Sequence, residues 1–168
     1  MSTYSYAGRI LKVDLTSSKI REEPLEASLI HDFVGGFGVN VKLASSLILP
    51  KVDPLSERNP IIFGVGPLVG TSAPGTSRTV VATKFPLSGA VSVACGSMRF
   101  GLTLKNAGYD HIIITGRSES PCYLKIYDGD VDIVNASGLW GLDTNETYNK
   151  LAEFYKGSSV ISIGPSGE

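Results

Sequence analysis

Cysteine is scarce in this sequence. Cys95 and Cys122 stand far apart and belong to no Cys-x-x-Cys pair. The chain therefore cannot supply on its own the four thiolates of an iron–sulfur cluster, and a disulfide framework is equally excluded. Histidine is as rare, and His31 and His111 have no metal-ligand spacing. Neither sign of charge dominates, with 15 Lys and Arg against 16 Asp and Glu. With no long basic run either, nothing calls for nucleic acid or an acidic membrane surface as a partner. No apolar stretch reaches the length of a membrane span. The opening MSTYSYAGR has neither a basic n-region nor an apolar h-region, so no secretory leader is read and a cytoplasmic location is expected.

Glycine is plentiful, at 19 residues, and it clusters between apolar runs instead of forming one flexible linker. A hydrophobic fraction of 42% over 168 residues is enough for a core, so one soluble domain spanning 1–168 is expected. GRILKVDL (8–15) alternates apolar and polar positions, and SSK then leads into IREEP as a hairpin. LEASLIHDFV (25–34) is read as an amphipathic helix stopped by Gly35-Gly36, and Val39, Leu43 and Leu47 mark a second helix up to Pro50. NPIIFGVGPLVG (59–70), SRTVVATK (77–84), GAVSVAC (89–95) and DHIIITG (110–116) are read as strands, with a short helix over 99–108. CYLKIYDGDVDIVNAS (122–137) is the clearest hairpin, turning on Asp128-Gly129. Asp143 and Glu146 predict a capping box for a last helix that buries Tyr148, Leu151, Ala152 and Tyr155, and VISIGPSGE (160–168) is read as a strand entering a Gly-Pro turn.

The order hairpin, helix, Gly-Pro-terminated strand thus occurs twice. Either the domain is an α+β pseudo-two-fold, with duplicated hairpin-helix-strand units forming two β-sheets beside short helices, or common units repeat by chance. A strand-turn signal at the very end also suggests a fragment of a longer chain.

The segment 66–78, GPLVGTSAPGTSR, is the most unusual in the chain. Its small residues allow close approach to the backbone, its N–H groups can form a concavity for phosphate or carboxylate, and Arg78 can clamp an anion in bidentate fashion. It lacks the Gly-Lys-Ser/Thr ending of a P-loop, and composition leaves open a plain surface turn with a solvated arginine. Gly35-Gly36-Phe37-Gly38 offers a helix start to an anion or simply stops and restarts a helix. It follows no strand, so a dinucleotide-binding reading fails. Ala94-Cys95-Gly96-Ser97 is another candidate cofactor edge, although Cys95 taken alone is better read as a small packed residue. Lys84 and Lys105 can face an anion or be solvated, and His111 is expected to pack or hydrogen-bond instead of catalysing. Asp128, Asp130 and Asp132 are read as keeping a hairpin tip soluble. No nucleophile–base arrangement is visible.

Over nearly its whole length the sequence resembles the N-terminal domain of the aldehyde ferredoxin oxidoreductase family. The resemblance runs through AGRILKVDLT, VDPLSERNPIIFGVGPLVGTSAPGTSR, TKFPLSG, LKNAGYDHIIITGRSESPCYLKI, LWGLDTNET and SIGPSGE, in that order. It implies two sheets related by a pseudo-two-fold, forming a base under a tungsten ion held by the dithiolene sulfurs of two pterins. It also implies a magnesium ion linking the pterin phosphates. The implied reaction oxidises an aldehyde with water to a carboxylic acid and passes electrons through a [4Fe–4S] cluster to ferredoxin. Arg78 matches the family arginine between pterin and cluster, and Gly75, Thr76 and Ser77 fall in the same pterin-facing loop. Cys95 stands where typical members have an asparagine whose backbone carbonyl contacts the magnesium. Gly96, Ser97, Met98 and Arg99 replace a pattern richer in glycine. The cluster cysteines and substrate channel are expected downstream of Glu168, so no catalytic residue is assigned within this chain. Implied partners are the rest of the oxidoreductase polypeptide or a partner subunit, ferredoxin, and a second copy in a homodimer. Competing readings are a standalone binding or assembly module, a generic phosphate-binding domain using the 66–78 loop, or another low-potential reaction on the same scaffold, such as aromatic thioester reduction.

Overall fold

A computed structural model describes residues 5–168, and the chain divides into two compact units, one up to Ser118 and one from Glu119. The leader reading of the first residues rests partly on 1–4, which lie outside the described residues.

The first unit is built on a six-stranded sheet. Strands β1 (Arg9–Asp14) and β2 (Lys19–Pro24) form the expected hairpin. Helices α1 (Ala27–Phe33) and α2 (Gly36–Leu47) follow, then β3 (Ile61–Val65), β4 (Thr79–Lys84), β5 (Val91–Gly96), α3 (Arg99–Asn106) and β6 (His111–Thr115). The sheet order is β2-β1-β6-β3-β4-β5, antiparallel except for the parallel pair β1 and β6.

Paired Ile62 and Ile113, together with Ile10, pack against Leu25 and against Val39 and Ala44 of α2. Leu11 and Ile112, paired in the neighbouring register, are buried as well. Strands buried on both faces read as continuous apolar runs, which is why HIIIT (111–115) shows no alternation. Gly38 is required where α1 hands over to α2, because a Cβ there would overlap the Phe33 carbonyl.

In the second unit β7 (Cys122–Tyr127) and β8 (Asp130–Asn135) form a two-stranded sheet. Its turn places Asp128 at φ 48° and Gly129 at φ 90°, the left-handed pair a two-residue hairpin demands. Helix α4 (Thr144–Phe154) begins with the expected box: Asp143 accepts from Asn145 N and Glu146 N at 2.8 Å, and Glu146 accepts from Asp143 N at 3.1 Å. The Tyr123 and Tyr155 hydroxyls, 2.9 Å apart, tie the helix end to β7.

The α+β class with two sheets stands, and two sequence expectations need correcting. The buried positions of α4 are Thr147 and Leu151, while Tyr148 is 48% exposed. A one-residue offset turns a helical side chain by about 100°, enough to move it off the packed face. Residues 160–168 form no strand. Within this unit β7 and β8 pair only with each other, so 160–163 has no ladder to join. The tail is instead held by Glu168, whose carboxylate accepts from Gly141 N at 2.9 Å. Of the expected duplicated unit, the hairpin and helix recur and the closing strand does not.

Candidate functional site

Register gathers the sequence-predicted residues at one end of the large sheet. Val65 at the end of β3 pairs with Thr79 at the start of β4, and Thr79 and Val80 pair with Gly96 and Cys95 at the end of β5. Gly66, Arg78 and Ser97 are the next residues outward on the three strands. A groove of about 420 Å³ opens here. Its walls are residues 34–37 on one side and residues 66–69 with Gly75, Thr76, Arg78 and Val80 on the other.

The two walls meet closely. A Cβ on Gly36 would lie 3.4 Å from Gly66 N, and one on Gly35 would lie 3.1 Å from Pro67 Cδ. Helix α2 therefore starts directly against the end of β3. Helix α3 is drawn to the same end, since a Cβ on Gly101 would lie 3.0 Å from Thr79 Oγ1 and 3.3 Å from Val65 Cγ1. Both helix starts carry backbone strain. Val34, a β-branched residue, sits at φ 62°, and Met98 sits at φ 98°, ψ −165°, a region almost confined to glycine. Each costs on the order of 1–3 kcal/mol, and such strain concentrates at ligand clamps. No side chain caps α2, so its first N–H groups keep their partial positive charge beside the groove.

Arg78 is the one charged residue lining the groove among the described residues, and no carboxylate lines it. Its backbone N–H bonds Thr76 O at 2.8 Å, while its exposed guanidinium has no hydrogen-bond or ion-pair partner among the described residues. Gly66 and Gly75 face open space, with Gly75 at φ 72°. Val34, Phe37 and Leu68 form an apolar rim and are each more than half exposed.

The 66–78 loop is internally ordered. Thr71 Oγ1 donates to Leu68 O at 2.7 Å, and Thr76 Oγ1 donates to Ala73 O at 3.0 Å. Its first residue is pinned by Lys105, which is not solvated and faces an anion of the protein's own, the Asp110 carboxylate. The ammonium forms a buried ion pair with Asp110 and reaches Gly66 O at 3.5 Å, and Asp110 also accepts from Gly8 N at 2.6 Å. Lys84 likewise spends its charge internally, on Val52 O at 2.7 Å.

Gly75, Thr76 and Arg78 therefore line the groove, while Ser77 does not. Cys95, Gly96 and Ser97 stand at the same sheet end without lining it. The packed reading of Cys95 is overturned: it is exposed, because β5 is the edge strand and its last three residues are uncovered. His111 is fully buried and hydrogen-bonded, as expected, and desolvation pushes its pKa down to about 4. The sequence reading underweighted residues 35–37, although the visible signal was a double glycine between two helices. It missed Asn40, a polar residue inside an apolar helix face.

A mixed sheet whose strand ends and helix starts surround an arginine-bearing, carboxylate-free groove has a donor set chemically suited to an anionic organic ligand. The pattern that defines the aldehyde ferredoxin oxidoreductase N-terminal domain matches residues 10–168, and the chain belongs to that family. It is 42% identical to a tungsten-containing aldehyde ferredoxin oxidoreductase of Pyrococcus abyssi, over 98% of this chain and 28% of that protein. Identity is 39% to the aliphatic sulfonate oxidoreductase, WOR-like subunit, of Pyrococcus furiosus, over 98% of this chain and 29% of that protein. Among solved structures, the active site complex BamBC of benzoyl coenzyme A reductase, in complex with 1,5-dienoyl-CoA, superposes with a TM-score of 0.85 at 34% identity. That match covers 89% of this chain and 23% of the other. The chain thus spans less than a third of the length of these relatives, which are oxidoreductases, and corresponds to their N-terminal domain. Among the described residues no helix is long and apolar enough to cross a membrane.

Proposed function

We propose that this chain is the cofactor-base segment of a cytoplasmic tungsten-pterin oxidoreductase that converts aldehydes to carboxylic acids. The observation that carries the reading is the groove, where an unpaired arginine, an uncapped helix start and glycines facing open space meet without any carboxylate. That donor set fits a pterin bearing phosphate and dithiolene groups, because guanidinium and backbone N–H groups bind such anions and glycine allows close approach. Among the described residues no group of three or more His, Cys, Asp or Glu could hold a metal ion, so the tungsten would take its ligands from the pterins. When bound, the metal supplies the two-electron redox chemistry. Arg78, Gly75 and Thr76 would hold the pterin edge, with Ser77 supporting the loop. Cys95, Gly96 and Ser97 lie one strand over, where the Cys95 carbonyl would help to hold a magnesium ion that neutralises pterin phosphate charge. Segments of the full protein outside this chain would bind a [4Fe–4S] cluster, deliver electrons to ferredoxin and line the substrate channel. A homodimer is the assembly proposed for the whole.

A second reading keeps the cofactor and changes the substrate. It is favoured by the benzoyl coenzyme A reductase likeness, which extends over most of this chain. The scaffold would then serve an aromatic thioester, with the 66–78 loop unchanged. Both readings predict tungsten and pterin in the full-length protein purified without oxygen, at about one metal per chain as the proposed groove implies. Metal-free, pterin-free protein of normal fold would leave the standalone binding-module reading in place of both. Turnover assays of the loaded protein with aldehydes and with aromatic thioesters then separate the two.

A further inference from the structure

Asn40 lies one turn into α2, fully buried in an otherwise apolar helix face. Its side-chain amide donates to Ile62 O on β3 at 3.1 Å and to Val80 O on β4 at 3.0 Å. Only the NH₂ group can satisfy two carbonyls, which fixes the amide orientation. The Oδ1 therefore accepts, 2.7 Å from His111 Nδ1 on β6. His111 must carry its proton on Nδ1, leaving Nε2 bare, and that nitrogen is buried without a partner among the described residues. One side chain so binds three adjacent strands.

Gly64 completes the arrangement, since any Cβ there would overlap both Asn40 Oδ1 and His111 Nδ1. The three residues are interdependent: the amide and imidazole occupy the space that a side chain at 64 would need. Their place in the fold bears on the groove. Asn40 is four residues past Gly36 on one wall, and its acceptors lie on β3 and β4, whose ends carry Gly66 and Arg78 on the other. Val80 itself lines the groove.

We propose that Asn40 and His111, seated over Gly64, are positioning residues that set the spacing between the α2 start and the Gly66–Arg78 wall, and so govern how firmly the groove holds its ligand. The inference rests on the reading of the groove as the tungsten-pterin base. It concerns this chain's own residues, none of which touches the ligand. A polar pin inside a core costs desolvation that apolar packing would avoid, yet it fixes one register among the many that interchangeable aliphatic contacts allow.

The test uses the full-length protein loaded with cofactor and follows loss of tungsten and pterin at a temperature set a fixed interval below each variant's own unfolding midpoint. Matching the interval removes the trivial effect of lower stability. His111→Ala should release cofactor about tenfold faster than the parent, as is typical when a supporting residue behind a site is removed. His111→Asn, which keeps a donor near the Nδ1 position, should restore most of the retention. Gly64→Ala should mimic His111→Ala without removing either polar group. Arg78→Ala run alongside keeps the two ideas apart. If it loses cofactor while His111→Ala and Gly64→Ala hold theirs at the parent rate, positioning is overturned and the groove reading stands. If Arg78→Ala holds its cofactor as well, the groove reading falls and the proposal falls with it.

Discussion

The two units of this chain are stabilised in different ways. In the first, the sheet is buried on both faces along β1 and β6, an Asn-His pair is sealed inside, and an ion pair sits beside the first residue of the 66–78 loop. In the second, neither strand contains a buried residue, and among the described residues Leu151 is its one buried hydrophobic side chain. The second unit leans on local devices, an Asp-Gly turn and a capping box, each contributing about 1 kcal/mol or less. The first leans on long-range burial and on polar groups whose removal leaves a partner stranded. The groove belongs to the unit with the costlier interior. That is the expected arrangement where strained backbone at Val34 and Met98 must be held in place by its surroundings.

That contrast predicts a ranking of effects. Lys105→Met should be the most damaging, because it leaves the fully buried Asp110 carboxylate without its ammonium. A loss of roughly 3–5 kcal/mol is expected, readable by denaturant unfolding. A Lys105→Met protein within 1 kcal/mol of the parent would show that the pair is not the anchor described.

Acid should come next. His111 titrates at about 4 when folded and near 6.5 when exposed, so the unfolded chain takes up the proton first as pH falls. The stability from keeping His111 neutral is fully present above about pH 6.5 and is lost progressively toward pH 4. The loss amounts to roughly 3 kcal/mol. His111→Asn should flatten this part of the pH profile in equilibrium unfolding. An unchanged slope would place the acid sensitivity elsewhere.

Asp143→Ala in the second unit should cost least, about 1 kcal/mol. Thermal melts should show a shift of only a few degrees. A larger collapse would mean that the capping box supports more than the end of α4.

The same contrast explains what could be read beforehand. Both devices of the second unit were legible, because an Asp-Gly turn and an Asp-x-x-Glu box are decided within a few residues. The strand expected over 160–168 failed because a strand needs a neighbour, and no local pattern shows whether one is present. In the first unit the elements were legible from periodicity and glycine punctuation. The parallel pairing of β1 with β6 was not, since it joins residues about a hundred positions apart. The loop and Arg78 stood out by composition, and register later put Cys95 and Gly96 beside them. Asn40 and His111 gave no sign of each other, because their contact exists only once α2 lies across the sheet.

The central claim is that Arg78 and its groove hold an anionic pterin. Arg78→Ala in the full-length protein, purified anaerobically and analysed for tungsten and pterin per chain, tests it most directly. The expected product is a folded protein, with an unfolding midpoint near that of the parent without cofactor, that has lost most of both. An Arg78→Ala protein carrying the parental content of tungsten and pterin, and losing it no faster, would contradict it.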